Sequence, residues 1–163
     1  MTSRSDERIK ILSAAETDVP LILSLIKDLA AYEKLSHEVL ATESTLKESL
    51  FGEKPYAEVA IGYYESIPAG YVLFFHNFST FTGRPGIYIE DIFVKETFRG
   101  KGMGRALFLY IAGLAKDRNC GRIEYSVLTW NEPALNFYKR FGAQCMDDWC
   151  LYRISGDSLN HLI

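Results

Sequence analysis

The sequence has few of the residues that build metal sites or disulfide frameworks. Its 163 residues include three cysteines and three histidines. Cys120, Cys145 and Cys150 show no CxxC spacing, and no histidine stands at ligand spacing from another His or a Cys. The pattern therefore predicts reduced thiols, no disulfide framework and no bound metal.

Blocks of one charge sign and long apolar runs are also missing. There are 18 Lys and Arg against 21 Asp and Glu, which gives a net charge of −3. The sequence contains no block of Lys and Arg of the kind that binds the phosphate backbone of a nucleic acid. No apolar run approaches the roughly 18 residues of a membrane helix, and the start of the chain lacks a signal peptide's apolar stretch. We therefore expect a cytoplasmic protein that binds neither nucleic acid nor membrane.

The hydrophobic pattern predicts one mixed α/β domain over residues 1–163. Hydrophobic residues make up 48% of the chain, enough for a core without cross-links. The predicted elements are a strand at 8–13, a helix from Asp18 with Pro20 in its first turn, a helix between Thr42 and Gly52, strands at 56–65, 69–78 and 86–94 with a turn at 66–68, a helix at 103–118, a strand at 122–129, a helix at 131–141 and a strand at 144–154. Three successive strands with short turns indicate an antiparallel meander.

A glycine-rich loop stands between the predicted strand at 86–94 and the helix at 103–118. Gly100, Gly102 and Gly104 leave main-chain amides uncovered where a helix begins, and those amides carry partial positive charge. This predicts a main-chain cradle for a pyrophosphate group. The loop matches neither the Walker A pattern nor the dinucleotide fingerprint, and a glycine turn without a ligand is the alternative.

The arrangement Arg99-x-x-Gly102-x-Gly104 resembles the Q/R-x-x-G-x-G/A motif of the GNAT N-acetyltransferase family, whose loop holds the pyrophosphate of coenzyme A. Three further segments resemble the diamine (spermidine/spermine) and thialysine acetyltransferase branch: residues 25–33 (LIKDLAAYE), 88–94 (YIEDIFV) and 130–140 (WNEPALNFYKR). The resemblance implies the GNAT fold, with a mixed central sheet and helices on both faces, acetyl-coenzyme A as co-substrate, and a homodimer.

The resemblance also implies which residues contact the co-substrate. Main chain of the strand before the loop would pair with the pantetheine arm at Ile92, Phe93 and Val94. The cradle would consist of Arg99, Gly100, Lys101, Gly102, Met103, Gly104 and Arg105. A second contact would come from Asn131, Glu132, Pro133 and Ala134, although Asn131 before Pro133 is also an ordinary helix start.

Acetyl transfer to an amine needs a base and benefits from an acid. An alkyl ammonium with a pKa of about 10.4 must first lose its proton, and the departing thiolate is stabilised by a nearby acid. The resemblance assigns the acid to Tyr138, whose alternative is an aromatic residue packed in the core. We assign the base to Glu90, acting through water. Strand alternation predicts that Glu90 and Asp91 lie on opposite faces. The alternative for either carboxylate is a structural role, capping a strand bulge or holding a backbone amide, and it is favoured for Asp91 over Glu90.

The amine site is predicted to be acidic. By resemblance, Tyr32 and Glu33 contact the acceptor, and Asp148 lies near another such position. Glu124 and Glu90 are assigned to the same acceptor site. Glu124 stands where the polyamine enzymes carry a different residue, and Phe141 stands where they carry an arginine, so the acceptor stays open among a diamine, a polyamine and a thialysine-like compound. Two alternatives keep the fold: a protein or peptide N-acetyltransferase, and a non-catalytic acetyl-coenzyme A sensor.

Overall fold

A computed structural model of the protein describes residues 7–162. Its strands and helices are β1 (Ile9–Ser13), α1 (Val19–Tyr32), α2 (Glu43–Phe51), β2 (Glu58–Tyr64), β3 (Ile67–Ser79), β4 (Arg84–Val94), α3 (Met103–Asp117), β5 (Ile123–Tyr125), α4 (Glu132–Lys139) and α5 (Asp157–Asn160). Two compact units follow each other along the chain, the first ending at Ser126 and the second beginning at Val127. Within the described residues, no helix combines the length and the apolar character that crossing a membrane requires.

The two N-terminal helices begin where their sequence signals predict. Thr42 caps α2, because its hydroxyl accepts the Thr45 N–H at 3.2 Å while Thr45 Oγ1 accepts the Thr42 N–H at 2.9 Å. Gly52 ends the same helix. Asp18 precedes α1 as predicted, but its carboxylate does not cap that helix. It turns back to accept the Ala15 N–H at 2.8 Å, which stabilises the preceding short turn instead.

The five strands form one sheet in the order β1-β2-β3-β4-β5. The first four pair antiparallel and β5 joins β4 in parallel, which confirms the predicted meander within a mixed sheet. The turn between β2 and β3 is shorter than predicted. Glu65 and Ser66 both have positive φ and make the turn, whereas Ile67 and Pro68 already belong to β3.

One face of the sheet packs against α1 and α2. The apolar face of α1 buries Ile22 and Leu25 completely. These side chains contact a cluster that the sheet supplies from Val59, Ile61, Tyr71 and Phe93, with Leu50 from α2. Burial of each such side chain contributes about 1.5 to 3 kcal/mol relative to exposure, so this cluster holds the first unit together.

The opposite face packs against α3. Gly62 of β2 lets this helix approach closely, because a Cβ at that position would collide with Met103 Sδ and lie 3.4 Å from Leu107 Cδ2. Met103, Leu107 and Ile111 are buried along one side of α3, at the spacing the sequence predicts. Helices therefore cover both faces of the sheet, as expected for the fold class.

The second unit contains α4 and the short α5. Asn131 caps α4 by accepting the Ala134 N–H at 3.3 Å, and Gly142 follows the helix with a φ of +79°. The strand predicted at 144–154 is wrong: no residue of that segment takes part in the sheet. Trp149 and Leu151 are 74% and 80% exposed there. The apolar alternation of this segment is typical of a strand, but no strand among residues 7–162 pairs with its backbone N–H and C=O groups.

Candidate active site

The glycine loop lies at the N-terminus of α3. Gly100 and Gly102 have φ of +73° and +85°, a region that residues with a Cβ enter at a cost. Gly102 directly precedes the first helical residue, Met103, and no side chain caps the helix there. A Cβ at Gly100 would meet nothing within 4 Å, and one at Gly102 would meet only Ile9 Cδ1 at 3.7 Å. Gly100, Lys101 and Gly102 are exposed and no side chain caps the amides at this helix end, which is the arrangement expected of a loop that binds a phosphate group.

Arg99, the first residue of the motif, ties the loop to its surroundings. Its Nε donates to the Val94 carbonyl at 3.1 Å. Its guanidinium lies 4.4 Å from the centre of the Tyr32 ring and 5.9 Å from that of Phe93. Arg99 thus links the end of α1, the end of β4 and the glycine loop through contacts that are each worth about 0.5 to 2 kcal/mol.

The other two predicted cations lie on either side of Gly102. The Lys101 ammonium sits 5.0 Å from the Tyr64 ring centre and 5.2 Å from that of Phe98. Arg105 is exposed in the first turn of α3. Both positions are compatible with a negatively charged ligand at the helix N-terminus.

The edge of β4 that precedes the loop is available on the side of β5. On that side β5 pairs with β4 only over Ile87–Ile89. The following residues, Ile92 and Val94, pair with β3 on the opposite edge. Phe93 points its ring into the core cluster. Main-chain groups from Glu90 to Val94 therefore lack a β5 partner, and apart from the Val94 carbonyl, which accepts from Arg99 Nε, this edge suits the predicted pairing with an extended ligand arm.

An open cavity of about 470 Å³ lies beside β4. Its walls come from α1, from the segment after α1 and from β4: Ile26, Leu29, Ala30, Glu33, Leu35, Glu38, Val39, Leu40, Ala41, Glu90 and Asp91. Four of these residues carry carboxyl groups, and no Lys, Arg or His of residues 7–162 lines the cavity. The site is therefore anionic, and it attracts cations.

A β-bulge brings two of these carboxyl groups together. In the ladder between β3 and β4, Leu73 pairs with Asp91 and Phe74 pairs with Ile89, so Glu90 is the extra residue. Regular alternation would place Glu90 and Asp91 on opposite faces, and that prediction is wrong. Because the bulge breaks the period, both residues line the cavity.

The carboxyl groups differ in their surroundings. Asp91 accepts a hydrogen bond from the hydroxyl of the buried Tyr71 at 2.9 Å. Burial raises the pKa of Asp91, the Tyr71 hydrogen bond opposes that rise, and the charge of Glu90 adds to it. Burial and the charge of Asp91 raise the pKa of Glu33 at the end of α1. Glu90 is exposed, so its carboxyl group is in contact with solvent.

Glu38 is a cavity residue that sequence reasoning missed. It lies in a short turn, Ser36–Glu38, within a polar segment that shows no helical or strand period. Its exposed side chain reaches the cavity because the chain folds back after α1, where the Leu35 N–H donates to the Ala30 carbonyl at 2.8 Å. The sequence signal that could have identified it is its closeness to Glu33 in the chain, because the two acidic residues follow each other within a few positions at the end of α1.

Two residues of the first unit that were predicted to bind the acceptor lie outside the cavity lining, and a third, Asp148, belongs to the second unit. Tyr32 lies under the Arg99 guanidinium at the end of α1. Glu124 in β5 accepts a hydrogen bond from Asn77 Nδ2 at 2.6 Å and pairs with Arg122 Nε at 2.9 Å. Asp148 is exposed in the irregular part of the second unit.

The second unit carries the remaining predicted residues. Asn131 is 9% exposed and caps α4, so its structural interpretation is confirmed. Glu132, Pro133 and Ala134 form the first turn of that helix. Tyr138 is 6% exposed, and its ring lies edge-on to Phe137 with 5.1 Å between the ring centres.

Comparison with known proteins decides the family. The model of the acetyltransferase (GNAT) family matches residues 24–143. The chain belongs to the GNAT acetyltransferase family. It is 36% identical to the thialysine N-epsilon-acetyltransferase of Bos taurus, over 94% of this chain and 96% of that protein. It is 34% identical to the L-ornithine N5-acetyltransferase of Arabidopsis thaliana, over 92% of this chain and 86% of that one.

Solved structures agree on the fold. An integron cassette protein from V. cholerae superposes on this GNAT chain with a TM-score of 0.80 at 24% identity, covering 95% of this chain and 97% of that one. The predicted mixed sheet with helices on both faces is thereby confirmed. Family membership makes the protein an N-acetyltransferase.

Proposed function

We propose that this GNAT enzyme transfers the acetyl group of acetyl-coenzyme A to a primary amine of a small cationic acceptor. The anionic cavity carries the proposal. Four carboxyl groups line it without a cationic side chain among the described lining residues. The same unit of the chain holds the accessible glycine loop at the start of α3.

The donor side uses main chain. Acetyl-coenzyme A, when bound, supplies an activated acetyl thioester. Amides of the Gly100–Gly102 turn would hold its pyrophosphate, assisted by Lys101 and Arg105. The edge of β4 without a β5 partner would pair with the pantetheine arm.

The acceptor side combines apolar walls with acidic groups. Ile26, Leu29 and Val39 offer apolar contact to a short aliphatic chain. The carboxyl groups would bind the amine to be acetylated in its ammonium form, and also a second positive charge on the aliphatic chain of the acceptor. Attraction between opposite charges is stronger in a partly desolvated cavity than in bulk water, so a dication gains more than a monoamine.

Proton transfer is assigned to two residues. Glu90 would accept the proton of the attacking ammonium through water, which suits its exposure at the bulge. The Tyr138 hydroxyl would donate a proton to the departing sulfur, a role proposed from the likeness of residues 130–140 to the family motif.

The relatives narrow the acceptors worth testing. One relative is named for thialysine and another for ornithine, both amino acids with a distal primary amine. In this chain the cavity lining offers carboxyl groups and no described cation. We therefore expect diamines to be accepted at least as well as amino acids, whose own carboxylate meets like charges in the cavity.

The test is thiol release from acetyl-coenzyme A across a panel of amines. The panel contains a short diamine, thialysine, ornithine, a monoamine of equal length and a peptide with a free N-terminus. We expect rapid turnover of the acceptors that carry two amino groups, the diamine first, and poor turnover of the monoamine. Equal turnover of the monoamine would refute the cationic acceptor, and exclusive turnover of the peptide would replace the proposal with protein acetylation.

A further inference from the structure

A buried tyrosine hydroxyl is hydrogen-bonded to one of the carboxyl groups that line the acidic cavity. Tyr71 of β3 is 0% exposed within the core cluster and pairs with Phe93 in the ladder. Its hydroxyl donates to Asp91 Oδ2 at 2.9 Å. A phenylalanine would fill nearly the same volume without placing a polar atom in the core. Packing alone therefore does not account for a hydroxyl at this position.

Asp91 depends on this hydrogen bond because its other neighbours are acidic. Glu90 precedes it on β4, Glu33 faces it from the end of α1, and Glu38 lines the same cavity from the segment after α1. Among the described lining residues none is cationic. The Tyr71 hydroxyl is thus the group that favours the charged form of Asp91, against burial and the negative charge of Glu90.

The direction of the hydrogen bond is set by Tyr71 itself. Burial strongly raises the pKa of Tyr71, and the charge of Asp91 adds to the rise. The hydroxyl consequently keeps its proton across the range in which enzymes are assayed, and it acts as a donor to the carboxylate.

We propose that Tyr71 is a positioning residue for acetyl transfer, holding the Asp91 carboxylate in a fixed orientation through its hydrogen bond so that this carboxylate binds the acceptor ammonium in the cavity. The inference rests on the proposed function. Asp91 pairs with Leu73 in the ladder, so it lies on the same face of the sheet as Tyr71, two residues before Leu73 in β3, and the bulge brings Glu90 to that face as well. Glu90 remains the proton acceptor, and Asp91 is the fixed negative charge.

The test is the pH dependence of kcat/KM for a short diamine in the Tyr71→Phe variant. Without the hydroxyl the pKa of Asp91 rises, so its charge is lost at a higher pH than in the wild type. Hydrogen bonds to charged groups are strong enough to move the acid limb of the profile upward by about one pH unit or more. On that limb the KM should rise by about tenfold, with kcat changing much less, and both should recover at alkaline pH.

Tyr63→Phe is the matched control. Tyr63 lies in β2 and is half-buried against the same core cluster, but it does not line the cavity. Removal of its hydroxyl should leave the pH profile unchanged. A Tyr71→Phe enzyme that loses thermal stability yet keeps the wild-type profile and KM has lost only packing, and that result overturns the proposal.

Asp91→Asn provides a second test that holds even if Tyr71→Phe does not fold. The asparagine oxygen still accepts from Tyr71, whereas the charge is gone. The diamine KM should rise by about tenfold or more. Its pH dependence should no longer show the step that the titration of Asp91 produces in the wild type. An unchanged acid limb would overturn the inference. A wild-type chain that acetylates no amine would refute the proposed function, while an active wild type with unaffected variants refutes the role of Tyr71 alone.

Discussion

Replacing Gly102 by alanine tests the phosphate cradle most directly. Gly102 has a φ of +85°, and a Cβ there would point into space where the nearest atom is Ile9 Cδ1 at 3.7 Å. The methyl group therefore fits, and the folding cost comes from the backbone conformation alone. That cost is about 1 to 2 kcal/mol. For a chain of this length it lowers the melting temperature by roughly 2 to 8 °C.

The same methyl group should interfere with binding. It would partly cover the amides that are proposed to hold the pyrophosphate. Loss of one hydrogen bond to a charged group costs about 1.5 to 3 kcal/mol, so affinity for coenzyme A should fall by roughly ten- to a hundredfold. In the wild type, coenzyme A at about a hundred times its Kd should stabilise the fold by about 2.7 kcal/mol. The variant should lose about half or more of that stabilisation at the same concentration, since about 0.4 to 1.4 kcal/mol remains after a hundred- to tenfold loss of affinity.

Gly83→Ala separates strain from binding. Gly83 lies in the turn between β3 and β4 with a φ of +63°, and a Cβ there would also meet nothing within 4 Å. Its substitution should lower the melting temperature to a similar extent and leave coenzyme A affinity unchanged. Titration calorimetry and thermal melts of both variants decide the matter. Equal affinity in Gly102→Ala and Gly83→Ala would show that the cradle assignment is wrong.

Three further outcomes are expected. Tyr138→Phe should reduce kcat by about a hundredfold with little change in coenzyme A affinity, the usual scale of general acid catalysis; full turnover per folded molecule would leave Tyr138 as a core residue. Glu33→Gln should raise the KM of a diamine far more than that of a monoamine, and parallel increases would argue against a distal charge contact. Arg118 donates to both Glu58 oxygens, at 2.5 and 2.8 Å. A double-mutant cycle with Arg118→Gln and Glu58→Gln should give a coupling of about 0.5 to 1 kcal/mol because the pair is partly exposed, and the coupling should vanish in acid as Glu58, whose pKa the Arg118 hydrogen bond lowers, becomes protonated. No coupling at neutral pH would contradict this.

Elements whose signals are local could be predicted from the sequence. Thr42 and Gly52 bound α2 as predicted, since capping depends on residues within one turn. The apolar face of α3 follows the helical period of its own residues. The glycine loop could be predicted for the same reason, because positive φ at Gly102 and the start of a helix depend on a few neighbouring residues.

Features that depend on distant residues could not be predicted in this way. The bulge at Glu90 exists only in the pairing of β4 with β3, so strand alternation wrongly placed Glu90 on the face opposite to Asp91. The segment at 144–154 has the alternation of a strand but no neighbouring strand among the described ladders. Glu124 was predicted to meet the acceptor, yet Arg122 and Asn77 contact its carboxylate in the folded sheet.

The sequence by itself determined the family, the order of most helices and strands and the place of the glycine loop, because motif spacing and capping depend on neighbouring residues. Tertiary structure decided which acidic residues lie together in one cavity. It brought Glu33, Glu38, Glu90 and Asp91 to one cavity and placed the Tyr71 hydroxyl against Asp91. These contacts join residues far apart in the chain, and their charge and pKa follow from burial and proximity, which no local pattern encodes.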